Sequence, residues 1–373
     1  MSSAPGQYSS GQYTRRDLLR LAGLSGLGLA ASSLLTGCGD DGAGFLPPNY
    51  AATILDARIA IAQAMVESNT PSISVALCDG ERIIWRETFG YIDQARSISP
   101  SLDTMYCIGS CSKVIAAIAT MILVDRGLIE LDAPLVHYVT DFRMQSPEYT
   151  KITVRMLLSH APGFAGGDYR NVMTFTPVLN YAAQVQQSLA SQRLKHQPGE
   201  MAVYCNDGFT MIDPLVAAVT GQSYVRFVQD EILGPLGMHS SRFALTAFPA
   251  GAFAPAFRED GTPWPQECTN AYASGGLYTT PTDMTRLARM LINGGEFEGV
   301  RILSPAAVAE MGCDQTTTLT INPISPPPVG GWAGTASHSR DWPGWMSPPG
   351  IKMGEPNFMA PTFLWRLRNA WRC

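Results

Sequence analysis

Residues 107–113 read Cys-Ile-Gly-Ser-Cys-Ser-Lys and introduce a stretch with apolar side chains at helical spacing. Gly127 ends that pattern, so the sequence predicts a helix over residues 113–126. Residues three apart lie on one face of a helix, which brings Lys113 within reach of the Ser110 hydroxyl. A serine hydroxyl needs an adjacent base at neutral pH, and a lysine desolvated among apolar neighbours has a pKa low enough to act as one. The segment therefore predicts a nucleophilic serine activated by a lysine.

The Ser-x-x-Lys spacing is a weak signal by itself, because roughly one or two chance matches are expected in a chain of this length. Here it occurs once, and it opens an apolar helix, as the chemistry requires. The alternative is a solvated Lys113 in the first turn of the helix. The helix dipole disfavours a cation at that place.

A second group of polar residues is Tyr204-Cys205-Asn206, which follows Gln-Pro-Gly-Glu at 197–200. On a loop, such a triplet can direct a phenol and an amide into one cleft. The phenol can carry a proton to a leaving group, and the amide can hold a substrate carbonyl. A tyrosine packed in the core with a satisfied hydroxyl is the commoner reading of the triplet alone, so its weight comes from combination with Ser110 and Lys113.

Taken together, the motifs identify a family resemblance over residues 55 to 310, to the class C β-lactamase-like serine hydrolases, which include D-Ala-D-Ala carboxypeptidase-like proteins and esterases. Five segments carry the likeness in the family's order: Ile-Gly-Ser-Cys-Ser-Lys (108–113), Ile-Thr-Val-Arg-Met-Leu-Leu-Ser-His (152–160), Pro-Gly-Glu (198–200) with Tyr-Cys-Asn (204–206), Gly-Pro-Leu-Gly-Met (234–238) and Ala-Ser-Gly-Gly-Leu-Tyr (273–278).

The resemblance implies an α+β fold in which an antiparallel sheet is flanked by helices and joined to a mainly helical second lobe. It implies Ser110 as nucleophile, Lys113 as base, Tyr204 as acid/base and Asn206 as a contact to the substrate amide. His160 resembles the family's structural histidine and is given no catalytic role. The implied reaction is acyl transfer without a cofactor, on a β-lactam, a D-Ala-D-Ala peptide or a small ester.

The C-terminal tail departs from the family. The third motif of the family is a Lys- or His-containing triplet ending in Gly, and Lys352-Met353-Gly354 is a formal match, so Lys352 is a candidate substrate-binding residue. Only 19 residues follow it, too few for the family's closing strands, and five of the seven tryptophans lie in the last 42 residues. These observations predict an incomplete sheet and a frameshifted tail over 331–373, which the nucleotide sequence across codons 325–373 tests.

Cysteines stand inside both motifs, at Cys111 and Cys205. They are expected either to pair as a disulfide or to pack as small apolar residues, and packing is favoured.

The chain has eight cysteines and five histidines, but their spacing matches no zinc pattern. The sequence therefore predicts no metal.

The first 37 residues read as an export signal with the twin arginines Arg15 and Arg16. Leu-Thr-Gly-Cys at 35–38 resembles the lipobox of bacterial lipoproteins, which implies lipidation of Cys38. Residues 38–50 then form a tether, and residues 51–330 form the hydrolase domain. The expected location is the cell envelope, with a lipid anchor as the only membrane contact. The alternative is an ordinary signal peptide with an incidental cysteine.

Composition sets the class of partner. Of 373 residues, 46% are hydrophobic and 15% are charged, and the formal net charge is −5. A chain without a basic cluster in its body does not fit nucleic-acid binding, so the expected partner is a small-molecule or peptide substrate. The oligomeric state is left open. The rival function is a catalytically impaired or non-catalytic envelope lipoprotein that uses the same cleft for binding.

Around the motifs, periodicity predicts a helix over 51–69 and strands at Ser72–Cys78 and 82–89, joined by an Asp-Gly turn. Residues 130–240 read as helices and long loops. Residues 272–281 read as a Gly-rich turn that precedes a helix over 282–293.

Overall fold

The computed structural model describes residues 48–167, 169–315 and 319–320. The chain enters through α1 (Pro48–Glu67) and a hairpin of β1 (Ser72–Cys78) and β2 (Ile83–Gly90). The Asp79 carboxylate accepts the backbone N–H groups of Glu81 and Arg82, which closes the predicted turn.

Helix α2 (Ser112–Asp125) lies at the centre of the core and is preceded by a 3₁₀ turn at Gly109–Cys111. Eleven of its fourteen residues are buried, among them every residue from Ile115 to Leu123. The helices of the second lobe contribute side chains to the same apolar cluster. They are α3 (Val154–Leu158), α4 (Tyr181–Ala190), α5 (Asn206–Thr210), α6 (Ile212–Thr220) and α7 (Tyr224–Val228).

Short antiparallel strands and three further helices complete the described part of the chain. β3 (Tyr106–Cys107), β7 (Leu277–Thr279) and β5 (Arg242–Phe243) form a sheet in that order, β4 (Met173–Thr174) pairs with β6 (Cys268–Thr269), and β8 (Glu296–Phe297) pairs with β9 (Val300–Arg301). The helices are α8 (Tyr272–Gly275), α9 (Pro281–Ile292) and α10 (Pro305–Gly312).

Residues 272–281 are therefore not the simple turn that their glycines suggested, since they contain both α8 and β7. Leu277 and Tyr278 are buried and pair with the neighbouring strands. A Cβ at Gly276 would lie 2.6 Å from the Thr269 carbonyl oxygen, so the glycine serves a close approach of two backbones. The expected α+β fold, with antiparallel sheets and a helical lobe, is confirmed.

Candidate active site

The motif serine lies at the boundary between sheet and helix. Ser110 is exposed in the 3₁₀ turn that leads from β3 into α2. Two hydrogen bonds join this segment to β7: Ile108 N–H donates to the Leu277 carbonyl at 3.0 Å, and Leu277 N–H donates to Ser112 Oγ at 3.1 Å. The sheet therefore fixes the position of the serine.

Lys113 is the second residue of α2 and is only 1% exposed. Its Nζ lies 3.1 Å from Ser110 Oγ, 2.8 Å from Asn206 Oδ1 and 2.7 Å from the Ser274 carbonyl oxygen. The serine hydroxyl can donate or accept, whereas the amide and carbonyl oxygens can only accept. A neutral amine has two N–H groups and one lone pair. When Asn206 and Ser274 take both N–H groups, the lone pair is left for the proton of Ser110.

Burial allows the neutral form of the amine to be populated near neutral pH. Desolvation lowers the pKa of Lys113 to about 7, against small opposite contributions from the Cys205 and Cys111 thiols. Two aromatic rings lie beside the amine, with Nζ 4.9 Å from the centroid of Tyr204 and 5.5 Å from that of Phe209. These rings stabilise the remaining cationic fraction without supplying a counter-charge. The amine therefore titrates near neutral pH.

The Tyr204 hydroxyl lies 2.6 Å from Ser110 Oγ. Desolvation raises the pKa of this phenol, and the hydrogen bond to Ser110 partly offsets the rise. The group is consequently protonated across the neutral range and can donate a proton. Its ring edge remains open to the cleft, because the residue is 53% exposed.

Asn206 is the first residue of α5, which places its amide between Lys113 and the cleft. The structure thus brings together Ser110, Lys113, Tyr204 and Asn206, the four residues selected from the motifs. Tyr169 was not selected, although its phenol interacts with the Asn206 side chain and it is 63% exposed. The Ser274 carbonyl was also missed.

The two motif cysteines are not joined to each other by a disulfide. Cys205 is buried with its Sγ 3.8 Å from the Gly166 carbonyl oxygen, and Cys111 is partly buried. Burial raises the pKa of both thiols, which makes them poor nucleophiles. They occupy the space of small apolar residues.

Two other candidates, Cys38 and Lys352, lie outside the described residues. Within residues 48–167 and 169–315, no three His, Cys, Asp or Glu side chains are grouped as a metal ion would require. Among the helices that the structure describes, none combines the length and apolar character of a membrane span.

Known proteins are similar to this chain in sequence and in fold. Penicillin-binding protein 4 of Amycolatopsis lactamdurans is 27% identical over 256 residues, 66% of this chain and 66% of the relative. The D-alanyl-D-alanine-carboxypeptidase/endopeptidase AmpH of Escherichia coli K12 is 26% identical over 262 residues, 67% of this chain and 64% of the relative. The chain thus spans about two thirds of the length of the curated relatives it matches.

Among solved structures, the octameric penicillin-binding protein homologue from Pyrococcus abyssi superimposes with a TM-score of 0.56 and 25% identity. The match covers 75% of this chain and 64% of that one. The family model described as Beta-lactamase matches residues 57–351, which contain the five motif segments between residues 108 and 278 and end one residue before Lys352. The chain belongs to the beta-lactamase family.

Proposed function

We propose that this protein is a serine hydrolase that cleaves an amide or ester through an acyl-enzyme on Ser110. The neutral Lys113 takes the hydroxyl proton of Ser110 as Oγ attacks the carbonyl carbon. Tyr204 donates its proton to the leaving nitrogen or oxygen as the tetrahedral intermediate collapses, and the Lys113 ammonium returns a proton to the phenolate. Water then cleaves the acyl-enzyme through the same groups.

The observation that carries this proposal is the environment of Lys113. The amine is buried beside Ser110, its other two partners accept only, and its pKa is about 7. A structural lysine in a core would be expected beside a carboxylate. No described carboxylate forms a salt bridge with this lysine, so the arrangement fits a base better than an ion pair.

For the substrate we propose a β-lactam, a D-Ala-D-Ala peptide or a small ester. The names of the relatives support the first two, since one is a penicillin-binding protein and another a D-alanyl-D-alanine carboxypeptidase/endopeptidase. Lys352 remains a proposed contact to the substrate, by resemblance to the family's third motif.

Intact mass spectrometry before and after incubation with a fluorophosphonate, and separately with benzylpenicillin, tests the proposal. We expect a fluorophosphonate adduct on the wild type and none on Ser110→Ala, because only the serine supplies the attacking oxygen. An adduct that persists in Ser110→Ala contradicts the assignment of the nucleophile. A folded wild type that forms no adduct but binds penicillin reversibly supports the rival, a non-catalytic binding protein.

We further propose export and lipid anchoring through Cys38, from the twin arginines and the lipobox-like segment. The mass of the mature N-terminus in its bacterial host tests this. A diacylglyceryl-modified chain beginning at Cys38, lost in Cys38→Ala, is the expected result. An unmodified mature N-terminus in the wild type contradicts it.

A further inference from the structure

His160 lies directly behind the catalytic tyrosine in an unusual backbone conformation. It follows α3 and has a φ of 59°, in the left-handed region that is uncommon outside glycine and in which asparagine, aspartate and histidine are the most frequent exceptions. Its side chain is 8% exposed. A buried residue in this conformation persists where its surroundings fix it, and such positions cluster at functional sites.

Two hydrogen bonds join His160 to the segment that carries Tyr204. Val203 N–H donates to the His160 carbonyl at 2.8 Å, and Cys205 N–H donates to His160 Nδ1 at 3.1 Å. Tyr204 is the residue between these two donors. One residue therefore holds the backbone of the tyrosine from both sides.

The imidazole ring also contacts the phenol ring itself. The centroids of His160 and Tyr204 lie 4.5 Å apart with an interplanar angle of 30°, and the Phe209 centroid lies 5.0 Å from the imidazole. These contacts restrict rotation of the Tyr204 side chain. Its hydroxyl is thereby kept at 2.6 Å from Ser110 Oγ.

The charge state of the imidazole is consistent with this contact. Because Nδ1 accepts a hydrogen bond, the proton of the neutral ring is on Nε2. Burial, reinforced by the nearby Lys113, lowers the pKa of His160 to about 3. Protonation of Nδ1 would direct its N–H at the Cys205 N–H, so that two donors would face each other without an acceptor. The neutral acceptor thus persists throughout the pH range in which Lys113 titrates.

We propose that His160 is a positioning residue for Tyr204, whose neutral ring and carbonyl hold residues 203–205 so that the phenol hydroxyl stays on Ser110. The inference rests on the proposed acyl-enzyme function and adds to it the residue that sets the geometry of its acid/base. His160 touches no reacting atom.

Two amide variants separate the hydrogen bond from general packing. In His160→Asn the side-chain oxygen can take the place of Nδ1, and asparagine tolerates the left-handed backbone. In His160→Gln the amide is one methylene farther out and cannot accept from Cys205 N–H in the same way. We expect acylation of Ser110 to fall by about 10²-fold in His160→Gln, as for a displaced catalytic group, and the loss in His160→Asn to be about tenfold smaller.

A double-mutant cycle then distinguishes positioning from support of the fold. In a Tyr204→Phe background we expect His160→Gln to cause little further loss of acylation rate, because the group that it positions is already absent. An equal 10²-fold loss in both backgrounds overturns the proposal, as does a His160→Gln protein with the wild-type rate. If the wild type itself forms no Ser110 adduct, the proposed function fails instead.

Nitrogen-15 NMR of the unmodified wild type tests the geometry without a catalytic readout. We expect the His160 resonances, assigned by their absence in His160→Asn, to show the Nε2–H tautomer without titration from pH 5 to 9. A ring protonated on Nδ1, or one that titrates near its ordinary pKa, overturns the inference.

Discussion

The first turn of α2 and its later apolar turns are equally buried but serve opposite purposes. In the first turn, Lys113 is 1% exposed and contacts three polar atoms. Farther along the helix, Ile118 and Leu123 are 0% exposed and belong to the apolar core. Desolvation stabilises the fold where the side chains are apolar, whereas at Lys113 it disfavours the charged form and so produces a base.

The same apolar core therefore stabilises the fold and makes the Lys113 amine available as a base. The apolar turns of α2 hold the helix in place, and the helix holds the amine away from water. Changes in the first turn should therefore act on the reaction, and changes farther along should act on the free energy of unfolding.

The largest expected effect is on the reaction. Lys113→Met keeps the approximate length and burial of the side chain but removes the base, so the acylation rate of Ser110 should fall by about 10³–10⁴-fold, the upper part of the range typical of general acid–base catalysis. Stopped-flow or timed mass spectrometry with a fluorophosphonate measures it. An acylation rate within tenfold of the wild type, on a folded variant, would assign the base elsewhere.

Changes in the apolar turns of α2 should lower the stability and leave the reaction rate unchanged. Leu123→Ala should lower the free energy of unfolding by about 2–5 kcal/mol through the cavity that it creates. The acylation rate of the protein that remains folded should not change. The control is Leu128→Ala at a position that is 46% exposed, where we expect a change within about 0.5 kcal/mol. A large loss of rate in folded Leu123→Ala contradicts the division of roles along α2.

Tyr204→Phe removes one hydroxyl on the exposed side of the site. Because the ring contacts with His160 and Lys113 remain, stability should stay within about 0.5 kcal/mol of the wild type. The acylation rate should fall by about 10²-fold, at the low end for a lost acid/base. Denaturant unfolding measures the stability, and timed mass spectrometry with benzylpenicillin, whose leaving nitrogen needs a proton, measures the acylation rate. A change in stability without a change in rate would make the tyrosine a packing residue.

The desolvation of Lys113 should also appear as a pH dependence of stability. The pKa of Lys113 is about 7 in the folded chain and about 10.4 when unfolded. Between these values the unfolded chain binds a proton that the folded chain does not, so the free energy of unfolding rises with pH. From pH 7 to 10 the wild type should therefore gain stability relative to Lys113→Met. If the free energy of unfolding changes with pH in the same way in the two proteins, the amine is not desolvated in the folded chain.

Local patterns predicted much of this site. The helical period over 113–126 matched α2 (Ser112–Asp125), and the alternation at Ser72–Cys78 matched β1. The side chains of Ser110 and Lys113 meet because residues three apart in a helical turn lie on the same face. Tyr204 and Asn206 required the family resemblance, since nothing in their local sequence indicates that they reach α2.

The remaining features involve backbone groups and loops, which have no signature in residue type. Segment 273–278 was recognised as a motif, but its chemical contribution is the Ser274 carbonyl, which any residue could supply. Gly276 suggested a turn and instead permits the approach of the Thr269 backbone. His160 was given no catalytic role from the sequence, and its bond to Cys205 N–H depends on a tertiary contact across 45 residues of chain.

The most direct test of the central claim, that burial makes Lys113 the base, is the pH dependence of the acylation rate of Ser110 by a neutral fluorophosphonate. We predict that the rate rises about tenfold per pH unit below the pKa of the amine and levels off above about pH 7. This pH dependence should disappear in Lys113→Met. A rate that is flat from pH 5 to 9, or one that rises only near the ordinary pKa of lysine, would contradict the account.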